Sequence, residues 1–131
     1  MSVSDTYEDK VLDKLLGAVD FTPPANVEIA LSQADPTDDG SGLAEPVGNN
    51  YSRVTVANTL TEWPASSGGS KANANEILFP AASGSWGTLT HYAIFEESGG
   101  MIFHGALTAP LAVSLGQQPK FAAGALTVTA N

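Results

Sequence analysis

The sequence has no cysteine in its 131 residues. No disulfide can staple it, and no thiolate can act as nucleophile or metal ligand. Basic residues are few: five Lys and Arg against fourteen Asp and Glu, a formal net charge of −9. Binding nucleic acid through its phosphates, or an anionic membrane surface, needs clustered cations that this chain lacks. No apolar run approaches the ~20 residues of a membrane span. The acidic first residues have neither the basic nor the apolar region of a secretory signal, so synthesis in a cytoplasm is expected. Catalytic motifs are missing too. No serine sits in Gly-x-Ser-x-Gly, and neither His91 nor His104 has a context that pairs it with a nucleophile. Gly40-Ser41-Gly42 opens no helix and makes no phosphate loop. The expectation is a protein that is not an enzyme and needs no cofactor.

What is present is strand sequence. The stretch from Ser85 to Leu107 predicts a hairpin: Thr88–Phe95 and Met101–Leu107 are apolar, aromatic or β-branched, and Glu97-Ser98-Gly99-Gly100 supplies the turn. A turn centred on Ser98-Gly99 sets Ile94 opposite Phe103 and Ala93 opposite His104. One face then carries Tyr92, Ile94, Met101, Phe103 and Leu107. The other carries Leu89, His91, Ala93, Phe95, Ile102, His104 and Ala106. Both faces are largely apolar, so the hairpin belongs in the middle of a packed structure, with Phe103 and Ile94 facing each other in the core.

Around it, Val27–Leu31, Tyr51–Ala57, Glu76–Phe79, Leu111–Leu115 and Leu126–Ala130 read as further strands, with a bulge near Phe121–Gly124. Residues 65–75 read as a flexible surface loop. Seven or eight short strands with regular turn signals predict a mainly β fold, an antiparallel, jelly-roll-like β-sandwich. The length fits one core. Residues 3–16 are the one predicted helix, with Gly17 placed to end it. Its apolar positions Val3, Tyr7, Val11 and Leu15 recur every four residues and form a stripe that needs a partner surface. This divides the chain into a helical arm, residues 1–20, and a β-sandwich domain, residues 21–131. Terminal arms of this kind can dock on a neighbouring subunit.

Three clusters invite a ligand. Asp35, Asp38 and Asp39 lie in the long loop 33–50, but their spacing departs from the Asp-x-Asp-x-Asp-Gly calcium pattern, and a solvated turn cluster is expected. His91 and His104 fall on one face as diagonal neighbours, yet no third metal ligand is supplied locally, so no metal site is assigned. Trp63, Trp86 and Tyr51 could make a sugar-stacking platform; aromatic residues in a sandwich are more often core or interface. Acids concentrate in residues 1–45, which suggests a solvated outer surface or a basic partner.

Four segments carry a resemblance. They are Leu15–Gly17 leading to Val27-Glu28-Ile29-Ala30-Leu31; Tyr51-Ser52-Arg53-Val54; Phe79-Pro80-Ala81 leading to Trp86-Gly87-Thr88-Leu89-Thr90-His91-Tyr92-Ala93-Ile94-Phe95; and Gly105-Ala106-Leu107-Thr108 followed by Lys120–Val128. With them the chain resembles a family of small phage virion proteins labelled tail-fibre or minor structural proteins. The resemblance implies a non-enzymatic component of the bacteriophage virion, in capsid decoration or in tail-fibre attachment. Its partners would be other virion proteins, major capsid or tail proteins. A homo-oligomer is expected, and a trimer above others, because closed symmetry lets a small chain cover its apolar surface. The alternative is a virion-borne carbohydrate-binding module that uses the three aromatics.

Overall fold

The computed structural model describes residues 2–130. Its elements are β1 (Ser2–Val3), α1 (Asp5–Gly17), β2 (Asn26–Ser32), β3 (Val54–Ala57), β4 (Ser70–Ala72), β5 (Ile77–Leu78), β6 (Gly87–Glu96), β7 (Met101–Val113), β8 (Lys120–Phe121) and β9 (Thr127–Thr129). The fold is mainly β, antiparallel, with one helix near the N-terminus. A five-stranded sheet runs in the order β1-β7-β6-β2-β3, and two short ladders, β4–β9 and β5–β8, complete it.

The β6–β7 hairpin is central, as its two apolar faces require. Ile94 pairs with Phe103 and Ala93 with His104. On one face Ile29, Leu31, Leu89, Tyr92, Ile94 and Ile102 meet Trp63, Ile77, Phe79, Trp86 and Leu126 from the ladders and their loops. On the other, Ala30, Ala93, Phe95 and Met101 lie under Leu43 of the 33–50 loop. The centre of the sheet is therefore covered on both faces.

Two irregularities change the predicted faces. Ile94 pairs with Phe103 but Phe95 pairs with Met101, so Ile102 is an extra residue on β7. This bulge moves Met101 to the face of Ala93 and Phe95, and brings Ile102 into the main core beside Phe103. Phe103 itself is only half-buried, because its ring lines an open cleft. Farther along, Thr90 alone on β6 stands opposite Leu107 to Pro110 on β7. Pro110 cannot donate to a ladder, and this widened region takes it out of one. β7 therefore continues to Val113, and the strand predicted from Leu111 is its far end.

Positive φ falls on non-glycine residues at two predicted glycine sites. In the hairpin turn Ser98 is left-handed (φ 55°). Gly99 is needed for space instead: a Cβ there would meet the Glu96 carboxylate at 2.6 Å. At the end of α1 the left-handed residue is Ala18 (φ 56°), and Gly17 is still helical.

The segment 65–75, predicted to be a loop, contains β4. It is organised by Asn73, which is 4% exposed. The Asn73 amide donates to the carbonyls of Asn75 (2.8 Å) and Ala122 (3.0 Å), and its Oδ1 accepts from Leu126 N (2.9 Å). One short polar side chain thus fixes the turn that carries β4 and β9 together.

Candidate interaction surface

The N-terminal arm is built on Ser4. It caps α1 with extended backbone, and its Oγ accepts from Tyr7 N (3.4 Å). The same Oγ donates to Met101 O (2.6 Å), while Ser4 N donates to Ile102 O (2.8 Å). Asp5 and Glu8 in the first turn suit the positive end of the helix dipole. Ser4→Ala is expected to cost about 1–2 kcal/mol in chemical denaturation, and to expose the arm to protease before the body unfolds.

One turn on, Tyr7 is buried and packs edge-on against Phe21, with ring centroids 6.0 Å apart. Its hydroxyl donates to Glu96, and Lys10 lies over its ring at 4.4 Å. Burial, and then the Glu96 carboxylate, push the Tyr7 hydroxyl well above the usual tyrosine pKa.

The predicted stripe Val3, Tyr7, Val11 and Leu15 is thereby divided. Val3 is in β1, paired with Phe103, and Tyr7 is consumed by the core. Val11 and Leu15 remain outside, joined by three neighbours that the four-residue spacing does not select. Leu12 is 55% exposed, Leu15 73%, Leu16 86% and Val19 55%. These leucines and valines lie close together on one short helix and its exit and form an exposed apolar patch. Acids surround them: Glu8, Asp9, Asp13 and Asp20 are all exposed.

Beside this surface lies a cleft of about 400 Å³ between α1, the Phe21–Pro24 segment and the β4–β9 ladder. Its walls are mainly apolar, from Val11, Phe21, Trp63, Phe103 and Val128. Among its described lining residues the only charged one is Lys71. Trp63 contributes an indole Nε1–H that is buried without a hydrogen-bond partner among the described residues.

The other candidate residues are drawn into structure. Trp86 is 1% exposed, donates from Nε1 to Asn49 O (2.8 Å) and meets Tyr51 edge-on at 5.2 Å. Trp63 is buried and Tyr51 half-buried, with the Tyr51 hydroxyl donating to Glu45 (2.7 Å). A sugar-stacking platform needs open ring faces, which the two tryptophans do not offer. His91 and His104 are diagonal neighbours as expected, but each is engaged separately. His91 Nδ1 meets Thr90 Oγ1 (2.8 Å), while His104 Nε2 lies 2.7 Å from Asp38 Oδ1 and its Nδ1 3.5 Å from Asp35 Oδ1. Asp39 holds its own turn through Ser41 N (2.9 Å) and Thr37 Oγ1 (2.7 Å). Among the described residues no set of three or more His, Asp or Glu side chains is arranged to hold a metal ion.

The 33–50 loop is tied down by Arg53, a residue that sequence reasoning passed over. The guanidinium donates to both Glu45 oxygens (2.9 Å each) and to Glu28 (3.2 Å), and it lies 3.8 Å from the centre of the Phe95 ring. This fork-to-carboxylate geometry is the strong kind. Burial acts to raise the Glu45 pKa, but the hydrogen bonds from Arg53 and Tyr51 outweigh it and hold the carboxyl below its ordinary range. The signal available in sequence was one arginine in a strand facing an otherwise acidic half of the chain.

The architecture is an antiparallel β body with a docked helix and an exposed apolar patch. Residues 2–129 match the profile of the family described as podophage GP4 fiber I protein gp80. The chain belongs to this family of phage fibre proteins, and its place is the virion. A search of curated proteins returned no match. No helix among the described residues is long and apolar enough to cross a membrane.

Proposed function

We propose that this chain is a non-enzymatic structural subunit of the tail-fibre apparatus. It works by protein–protein binding, as a closed homotrimer attached to other virion proteins. Between the two expected locations, capsid decoration and tail attachment, the fibre family favours the tail. The observation that carries the binding role is the apolar patch Val11, Leu12, Leu15, Leu16 and Val19, presented on a helix that Ser4 and Tyr7 lock to the sheet. A helix held this firmly, with its leucines left in water, is stabilised by covering them. In this reading residues 1–20 are the clasp and residues 21–131 the body that carries it.

Leu15→Glu tests the clasp without disturbing the core, because Leu15 is 73% exposed. The variant is expected to keep its melting temperature and circular dichroism, to fall to a monomer in light scattering, and to bind particles lacking the native protein at least tenfold more weakly. Unchanged assembly and particle binding would refute the clasp. Mass spectrometry of separated heads and tails checks the location, with the chain expected in the tail fraction.

A further inference from the structure

We infer that the Asp39–Gly40 peptide is a latent site of isoaspartate formation, and that the folded 33–50 loop holds it closed. The site is independent of the binding role proposed above. The sequence contains one Asp-Gly step and no Asn-Gly step. Glycine matters there because no side chain shields its backbone nitrogen. The reaction needs no partner. Gly40 N attacks Asp39 Cγ, a C–N bond forms, and the amide proton and carboxyl hydroxyl leave as water. Water then reopens the five-membered ring. Opening at the main-chain carbonyl routes the backbone through the Asp39 side chain and lengthens it by one carbon. Asp39 is exposed, so solvent reaches the site.

Hydrogen bonds hold both reacting groups. The nucleophile, Gly40 N, donates to Thr37 O (3.0 Å). The electrophile, the Asp39 carboxyl, accepts at Oδ1 from Ser41 N (2.9 Å) and Thr37 Oγ1 (2.7 Å). Only the protonated carboxyl has a good leaving group. The bonds from Ser41 N and then Thr37 Oγ1 lower its pKa to about 2 and keep it ionised. The backbone around it has little room to rearrange. Gly42 N donates to Pro36 O (2.9 Å), and a Cβ on Gly42 would meet Asp35 O at 2.1 Å. The neighbouring Asp38 ties the loop to the rest of the chain. Its carbonyl accepts from Asp5 N at the start of α1 (3.0 Å), and its Oδ1 lies 2.7 Å from His104 Nε2. A backbone lengthened at residue 39 would pull Asp38 away from both.

Ageing the full-length chain tests this. Isoaspartate is measured by enzymatic methyl transfer and located by peptide mapping. The folded protein is stored at neutral pH beside the same chain unfolded in guanidinium chloride. The unfolded chain is expected to form isoaspartate at residue 39 about tenfold faster, since the folded site must first open. Thr37→Ala removes the hydroxyl donor, and Thr37→Ser keeps it. Thr37 is exposed, and both variants should keep the melting temperature of the parent. The alanine variant should age about fivefold faster than the parent, the usual worth of one hydrogen bond, and the serine variant at the parent's rate. No isoaspartate at residue 39 in either state would overturn the site. Equal rates in the folded and unfolded parent would overturn its closure. An alanine variant that ages like the parent, or like the serine variant, would overturn the role of the hydrogen bonds. Each of these rates is read on the single chain, whether or not it assembles.

Discussion

Trp86→Ala is expected to lower the unfolding free energy by about 3–5 kcal/mol, the usual cost of deleting a buried aromatic ring. The ring is 1% exposed. It joins three parts of the chain: the start of the β6–β7 hairpin, the end of the 33–50 loop through Asn49 O, and Tyr51 through an edge-on contact. Removing it opens a cavity and strands the Asn49 carbonyl. Total stability of a domain this size is about 5–15 kcal/mol, so the loss is a large share of it. Urea denaturation followed by far-UV circular dichroism measures it. A loss below about 1 kcal/mol would mean that the ring is not the keystone described here.

Arg53→Met should cost about 3 kcal/mol at neutral pH, since it leaves Glu45 and Glu28 partly buried without their cation. Methionine keeps an apolar stem over Phe95, so the loss reports the charge. Its pH dependence has a definite sign. Glu45 has a folded pKa below its unfolded value, so its contribution is present above the unfolded pKa and is lost as pH falls through the folded one. In the variant only the Tyr51 hydrogen bond opposes burial at Glu45, so its pKa rises relative to the parent. The gap between parent and variant should therefore close as pH drops through the carboxylate range. A gap that stays constant with pH would show that the guanidinium acts by packing alone.

The sequence spoke most clearly where one rule governed alone. The pairing of Ile94 with Phe103 followed from a short turn, because turn length sets register. The faces beyond that pair were misread at Met101 and Ile102, since a bulge leaves no periodic mark on apolar sequence. β1 was not anticipated because Ser2 and Val3 become a strand only by tertiary pairing with β7. The same event makes Ser4 the cap and starts the helix two residues later than the apolar spacing suggests. On α1, periodicity selected Val3 and Tyr7, the two members that the body covers, together with Val11 and Leu15, which stay exposed. Which apolar residues of a helix face inward depends on where its first turn is anchored, and that anchor is Met101 and Ile102, nearly a hundred positions away.

The proline in the widened part of β7 bears on how copies can add to one another. Among the described residues β1 covers β7 at Phe103 and His104, and the stretch beyond them borders the sheet. A bare strand at a border is a template: any chain that pairs with it presents a new border, and growth has no natural end. Pro110 carries no N–H, and the mismatch with β6 interrupts the regular register along this stretch. Extension by backbone pairing is disfavoured there, so this border is a poor template for a further chain.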